Sequence, residues 1–379
     1  LTFDVIRRYL TFRGFDVRFV QNITDVDDKI IARANEEGRQ PAEVAAEYTL
    51  AFQSAMDALG VLRPTVQPKA TETIDDMIEM TGRLIERGHA YVVDGDVYFS
   101  VRSFPEYGKL SGRNIDDLES GARVDVDERK RDPLDFALWK SAKPGEPHWT
   151  SPWGEGRPGW HLECSVMSER ELGLTFDIHG GASDLIFPHH ENEIAQSEAA
   201  TGEPFVRYWL HGGLLQVNQE KMSKSLGNFL LLRDVLERYS APVVRLLMLQ
   251  THYRSPLDFS TERLDEAVRA YERLVTPVRN FNWAKRNRAL VELPEATASV
   301  IEALEAAPAA ACEAFVEAMD DDFNTAGALA AIFDLVRVVN GFLESHGIGG
   351  NARYAARLEV ASDTIAELLG VLGVAVLSQ

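Results

Sequence analysis

Two groups of residues have the types and spacing to do chemistry. The first is Glu220-Lys221-Met222-Ser223-Lys224-Ser225-Leu226-Gly227-Asn228, in which two lysines stand three apart beside serines and a closing glycine. A cationic loop of this kind suits a polyphosphate whose charge shifts as it reacts; a solvated surface turn is the other common use of such a cluster. The second group is Gly159-Trp160-His161-Leu162-Glu163-Cys164-Ser165, then Phe176-Asp177-Ile178-His179-Gly180-Gly181, Asp184 and Phe187-Pro188-His189-His190-Glu191-Asn192-Glu193. His189 and Glu193 are four apart and share one helical face. With Cys164 supplied from another element, they offer S, N and O ligands to a zinc ion. Such a site normally needs a fourth ligand, and no second cysteine lies near. Either the fourth position is filled from outside this sequence or by substrate, or Cys164 is a buried thiol and the histidines orient other groups.

The elements that would hold these residues follow from periodicity. Phe3, Ile6, Tyr9 and Leu10 recur at helical spacing up to Gly14, and Val17–Val20 reads as a short buried strand. A helix feeding a strand resembles a β-α-β unit whose first strand lies before Leu1. Asn22 to Lys29 follows at the strand's carboxyl end, where α/β sheets collect ligands. Asp25 and Asp28 are expected to cap the helix from Lys29 to Glu37 rather than bind metal, and Thr24 is a candidate substrate contact. Helices are expected between Pro41 and Gly88, and a hairpin around Asp94-Gly95. Residues 103–156 read as an insertion of short strands and loops, with the basic run Arg129-Lys130-Arg131. Pro188 suits a first helical turn.

After the lysine loop, Arg233–Tyr239 and Pro242–Leu249 read as short helices. Four longer ones follow, at about 263–285, 296–319, 324–345 and 351–371, making a bundle. Pro308 should break the second, Asn324 or Thr325 should cap the third, and Asp320–Asp322 fits a polar turn at a helix end.

The 379 residues allow two or three domains, and 45% hydrophobic with 26% charged residues is an ordinary globular balance. No apolar run is expected to cross a bilayer, and no signal pattern opens the sequence. Two distant cysteines, Cys164 and Cys312, argue against a disulfide framework and for a reducing cytoplasm; Cys312 reads as a small buried apolar residue. A net charge of −20 argues against a general nucleic-acid binder but leaves room for a local basic groove.

Taken together, NITDVDDKI, GWHLECS, DIHGG, FPHHENEIAQS, EKMSKSLGNF, HYRSPLDFS and MDDDFNTAGAL resemble the bacterial cysteinyl-tRNA synthetases, in the family's order and over most of the sequence. The resemblance implies an α/β fold: a Rossmann-like class I synthetase catalytic domain with a connective insertion, followed by an α-helical bundle. Its divisions would be 1–70 and 153–215 for the catalytic domain, 71–152 for the insertion, 216–262 for a stem-contact segment with the KMSKS loop, and 263–379 for the bundle. It implies one zinc ion on Cys164, His189 and Glu193, with the family's other cysteine and its HIGH motif in a segment before Leu1, and an anticodon-binding domain beyond Gln379. It implies catalysis by Lys221 and Lys224, ATP contacts from Lys224, His179 and Gly181, and substrate contacts from Thr24, Trp160 and Asp184. ATP with Mg2+, L-cysteine and tRNA(Cys) would be the partners of a cytoplasmic, membrane-free monomer. Ala182 departs from the family's third glycine and can crowd a backbone contact. A cysteine ligase of mycothiol synthesis shares the zinc site and KMSKS; the ENEIAQS continuation and the segment 320–325 favour the tRNA enzyme. A non-catalytic RNA-binding paralogue is the remaining alternative.

Overall fold

The computed structural model of the protein describes residues 1–114, 129–217, 230–287, 295–346 and 352–376, with Glu220 and Lys221 as backbone. In chain order the elements are α1 (Thr2–Phe12), α2 (Asp28–Glu37), α3 (Pro41–Ala58), α4 (Ile74–Glu86), β1 (Ala90–Val93), β2 (Asp96–Phe99), β3 (Phe136–Ser141), β4 (Trp149–Ser151), β5 (Gly154–Pro158), α5 (Trp160–Leu172) and β6 (Phe176–Ala182). Then come α6 (Glu191–Thr201), β7 (Val206–Gly212), β8 (Leu215–Val217), β9 (Glu220–Lys221), α7 (Leu232–Leu236), α8 (Ala241–Leu249), β10 (Leu257–Asp258), α9 (Thr261–Arg286), α10 (Ala298–Asp320), α11 (Thr325–His346) and α12 (Ala355–Val371). They form two compact units: 18–54 with 64–211, and 1–17 with 55–63 and 212–379.

The first unit carries the insertion and the cysteine–histidine segments. A five-stranded sheet in the order β1-β2-β3-β5-β4 is built from antiparallel pairs. Its first hairpin turns at Asp94-Gly95 as expected, both residues having positive φ, which a two-residue turn between twisted strands requires. Beneath it, Met77, Met80 and Leu84 of α4 pack with Leu162 and Val166 of α5 and Ile194 and Ala195 of α6. Arg83 on α4 grips the Glu169 carboxylate on α5 at 2.9 Å. A second sheet pairs β6 with β7.

Three expectations fail here for local reasons. Val17–Val20 is not a strand: only Val20 and Ile23 bridge, in parallel, to Val66 and Lys69. Pro68 lacks an N–H and interrupts the ladder. Asp25 and Asp28 do not cap α2; Asp27 does, accepting from the Lys29 N–H at 2.8 Å. Asp25 instead accepts from the Thr71 N–H and hydroxyl, while Asp28, exposed, pairs with Lys140 and Arg157, which hold it below the usual carboxylate range. Pro188 does not begin α6. Its peptide bond to Phe187 is cis and it sits in a wide turn over Ile186–His190, because the residue before a proline is pushed to extended backbone (Phe187, φ −137°, ψ 130°). The basic run is partly engaged: Arg129 pairs with Asp96, and Arg131 lies 4.1 Å over the Tyr91 ring.

The second unit is mostly helical, and the four long helices stand where the periodicity predicts. Phe315, Ile332, Leu335, Val339, Ile365 and Leu369 fill its core. Asn324 caps α11, accepting from the Gly327 N–H at 3.0 Å. Pro308 does not break α10, which runs through it from Ala298 to Asp320. The flanking alanines leave room for the ring, and burial of Leu304, Phe315 and Met319 offsets the lost bond. Cys312 is half-buried against the same core. Asp320 and Asp322 are not simply a polar turn: Asp320 accepts from Tyr9 and Arg13, and Asp322 from Tyr253 and Arg254. By length and composition α11 could cross a membrane, contrary to the sequence reading, but half of its apolar window is buried inside the bundle core. β8 pairs with β9 and β10, so Lys221 stands opposite Gln216; Lys224 and the rest of the KMSKS string lie outside the described residues.

A buried ion pair ties four stretches of this unit together. Arg245 on α8, 1% exposed, donates to Asp4 on α1 at 2.6 Å and to the backbone carbonyls of Leu59 and Leu372. Asp4 also accepts from the Leu62 N–H at 2.9 Å. Burial opposes the Asp4 charge, but that N–H and Arg245 outweigh it and hold the carboxyl below its ordinary value. Removing Arg245 leaves the buried Asp4 carboxylate with only Arg8, at 3.0 Å, and the Leu62 N–H, so Arg245→Met should cost about 2–3 kcal/mol in denaturant unfolding, and the double variant with Asp4→Leu should recover part of it. The depressed folded value makes the pair's contribution complete above the unfolded value of about 4 and lost as pH falls through the folded one. Wild type should therefore lose more stability than the double variant between about pH 5 and 3, measured as urea midpoints against pH.

Candidate metal and substrate site

Glycine at position 159 starts α5, whose first two turns carry Trp160, His161, Glu163 and Cys164. The wide turn after β6 delivers His189 and His190, and α6 delivers Glu191, Asn192 and Glu193. The two helices are fixed to each other by Gln196, whose amide donates to the His161 carbonyl at 2.8 Å and to the Ser165 hydroxyl at 3.0 Å. The start of α6 is fixed to the insertion by Glu191, fully buried, which accepts from the backbone N–H groups of Gly108 (2.9 Å) and Ser111 (2.8 Å). Tyr107 donates to Asn192 beside it. Glu191→Ala leaves those N–H groups unpaired and should cost about 2–4 kcal/mol by denaturant unfolding, while the same substitution at exposed Glu203 should cost almost nothing.

Glu193 is the centre of the site. It is fully buried, with the Nε2 atoms of His179 and His189 at 3.1 and 3.0 Å from its two oxygens. Burial opposes its charge, but the two imidazoles win and hold it well below the carboxylate range. Even so, neither oxygen receives an aligned hydrogen bond. The Cys164, His189 and Glu193 donor atoms lie within 4.8 Å of one another, and so do those of His179, His190 and Glu193. Burial and the Glu193 and Glu163 carboxylates push the Cys164 thiol well above its ordinary value. A buried carboxylate without directed donors, a thiol among carboxylates and a ring nitrogen at ligand distance together fit a divalent cation, and the S, N, O set is one zinc accepts.

The three sequence-predicted ligands thus come together. Of the other predicted residues in this unit, His179 touches Glu193 directly, and Trp160, 45% exposed, stacks on His189 with ring centroids 4.3 Å apart. Gly181 packs on the His190 ring, where an added Cβ would stand 2.7 Å from Cε1; this close approach explains the glycine. Ala182 ends β6, and Asp184 is exposed in the short turn after it. Thr24 is half-buried, and its hydroxyl oxygen accepts from the Asn22 amide at 3.4 Å.

Four residues were not singled out by the sequence reading. His161 meets His189 Nδ1 to Nδ1 at 2.8 Å, and His190 Nδ1 meets His211 Nε2 at 2.8 Å. Burial pushes both His161 and His190 down to about 3, so they serve as neutral rings. Trp209 packs edge-on against His179 at 4.8 Å and stacks over His211. Trp209 and His211 are two apart on β7, so strand alternation would have placed them on one face.

The family model for the class I (C) tRNA synthetase catalytic domain matches residues 1–269, and that for the DALR domain matches residues 314–377. The chain belongs to the class I (C) tRNA synthetase family. Among curated relatives, it is 54% identical over 374 residues to the cysteine–tRNA ligase of Trichlorobacter lovleyi, covering 98% of this chain and 76% of that one. It is 53% identical to the cysteine–tRNA ligase of Carboxydothermus hydrogenoformans, covering 98% and 78%. Among solved structures, methionyl-tRNA synthetase of Mycobacterium tuberculosis bound by methionyl-adenylate matches with a TM-score of 0.70 over 97% of this chain and 86% of that one. At 17% identity that likeness shows the class I fold, with its Rossmann-like catalytic domain and helical carboxyl-terminal part.

Proposed function

We propose that this chain is a cysteine–tRNA ligase that activates L-cysteine with ATP to the adenylate and transfers it to tRNA(Cys). The single observation that carries the reading is the convergence of Cys164, His189 and Glu193 around a buried carboxylate that lacks directed donors, in a chain 54% identical to such ligases. Cysteine and serine are nearly the same size, and a one-group difference in a shaped pocket is worth only about 1–3 kcal/mol. Zinc held by Cys164, His189 and Glu193 would supply a soft acceptor for the substrate thiolate.

The protein's own residues do the rest. His161 keeps the His189 ring oriented through its Nδ1 atom, and Trp160 covers that ring's face. His179 balances the second Glu193 oxygen. Thr24 and Asp184 are proposed to meet the cysteine, and His179 and Gly181 to border the adenylate. The cysteine carboxylate attacks the α-phosphate of ATP, held with Mg2+, and pyrophosphate leaves. Lys224, helped by Lys221, is proposed to stabilise the phosphate charge as it develops. The terminal adenosine hydroxyl of the tRNA then displaces AMP. The five-part division of the chain, with 71–152 as connective insertion and 216–262 as stem-contact segment, is proposed with this function, as are the cytoplasmic location and the monomeric state.

Cysteine-dependent pyrophosphate exchange by the full-length protein, with tRNA(Cys) and an amino sugar offered separately as acceptors, tests the reading. Exchange with cysteine and transfer to tRNA alone is expected; transfer to the sugar alone would favour the mycothiol-type ligase, and no exchange a non-catalytic paralogue. Lys224→Ala should lower kcat about 10²- to 10³-fold with a smaller change in KM. Cys164→Ser and Glu193→Gln should lower bound zinc, measured by metal analysis; wild type without stoichiometric zinc would sink the metal assignment.

A further inference from the structure

The Cys164 sulfur has a neighbour outside the ligand set. Asn22, in the loop before α2, places its amide nitrogen 3.6 Å from Cys164 Sγ and 3.4 Å from Thr24 Oγ1. The orientation of that amide follows from the bonds around it. The Thr24 hydroxyl oxygen and the Cys164 sulfur both stand on the nitrogen side of the amide. The two protons of that NH2 match two acceptors, one oxygen and one sulfur, whereas the flipped amide would set a carbonyl oxygen against the sulfur.

The sulfur needs such a donor. The fully buried Glu193 carboxylate has an oxygen within 4.8 Å of that sulfur. A thiolate beside a buried carboxylate is favoured by a metal on one side and by an N–H donor on another. We propose that Asn22 is a positioning residue of the metal site, donating one amide proton to the Cys164 thiolate and the other to Thr24. It thereby sets the strength of the sulfur ligand and couples the ligand helix to the loop that carries a substrate contact. The inference rests on the zinc reading of Cys164, His189 and Glu193.

The test measures zinc affinity of the full-length protein by competition with a chromophoric chelator, together with the thiolate-to-cobalt charge-transfer band of the cobalt-substituted protein. Asn22→Leu is close in volume and has no donor; Asn22→Ala serves if leucine disturbs folding, with near-wild-type circular dichroism and Tm as the criterion. Loss of the donor should weaken zinc binding about 10- to 100-fold and shift the cobalt band. Thr24→Val, which removes the amide's other acceptor, should change affinity far less. Affinity within about twofold of wild type and an unmoved band in both Asn22 variants would overturn the inference alone. An equal loss in Thr24→Val would also overturn it, because the effect would then be displacement of the loop. Wild type that binds no zinc would overturn the metal reading and this inference together.

Discussion

A carboxylate buried without aligned donors is the constraint around which the site is organised. Taking a charge out of water costs several kcal/mol unless partners replace the lost hydration. Glu193 is fully buried, and the atoms nearest its oxygens are two ring nitrogens from different elements, His179 on β6 and His189 in the wide turn. Every surrounding feature serves to hold those rings. His161 and His190 are neutral because burial disfavours their charged form, which lets each share a proton with a partner ring instead of repelling it. Gly181 exists as glycine because His190 occupies the space a Cβ would need. The cost of Glu193 has therefore shaped the sequence well beyond its own turn.

The same logic appears in the helical unit, with a different outcome. Asp4 and Arg245 are also buried, but Asp4 is satisfied by two guanidinium groups, of Arg245 and Arg8, and a backbone N–H, and Arg245 by two further carbonyls. A nearly satisfied pair of this kind is structural, and fixes how α1, α8 and the end of α12 meet. Glu193 instead meets only two ring nitrogens, at 3.1 and 3.0 Å and without good alignment, the difference on which the proposed cation site rests.

Much of this was legible in the sequence, and the failures share a cause. Helices with long apolar periodicity, α9 to α12, stand within a few residues of their expected bounds, because a buried stripe repeats over several turns. The convergence of Cys164, His189 and Glu193 was legible because His189 and Glu193 needed only helical spacing and Cys164 was the one thiol in the region. What was not legible depended on partners far away in sequence. Asp27 rather than Asp25 caps α2 because Thr71 claims Asp25. Asp320 and Asp322 look like a polar turn until Tyr9, Arg13, Tyr253 and Arg254 are brought to them. Pro308 reads as a break by local rules, and packing on both sides overrides it. His211 and Trp209 were missed because β7 offered no apolar alternation to announce it as a strand.

Selection between thiol and hydroxyl adds a further demand that shape cannot meet. If the choice rests on a soft metal, then its fidelity depends on how much negative charge the protein's own ligands already place on that metal. Glu193 is hard and fully charged; Cys164 is soft, and its electron density is adjustable by whatever donates to it. An amide on the sulfur draws density away from it without removing the bond, leaving the metal a stronger acceptor for an incoming thiolate. A carboxylate near the same sulfur does the reverse. Cys164 has the Asn22 amide on one hand and, next to it in the helix, Glu163 on the other, whose carboxyl burial pushes up to about 8. Thr24, bonded to Asn22, would then be the point at which the substrate's surroundings and the metal's electronics meet. Substitutions in that three-residue set should therefore alter preference for cysteine over serine, even though none of the three is a metal ligand.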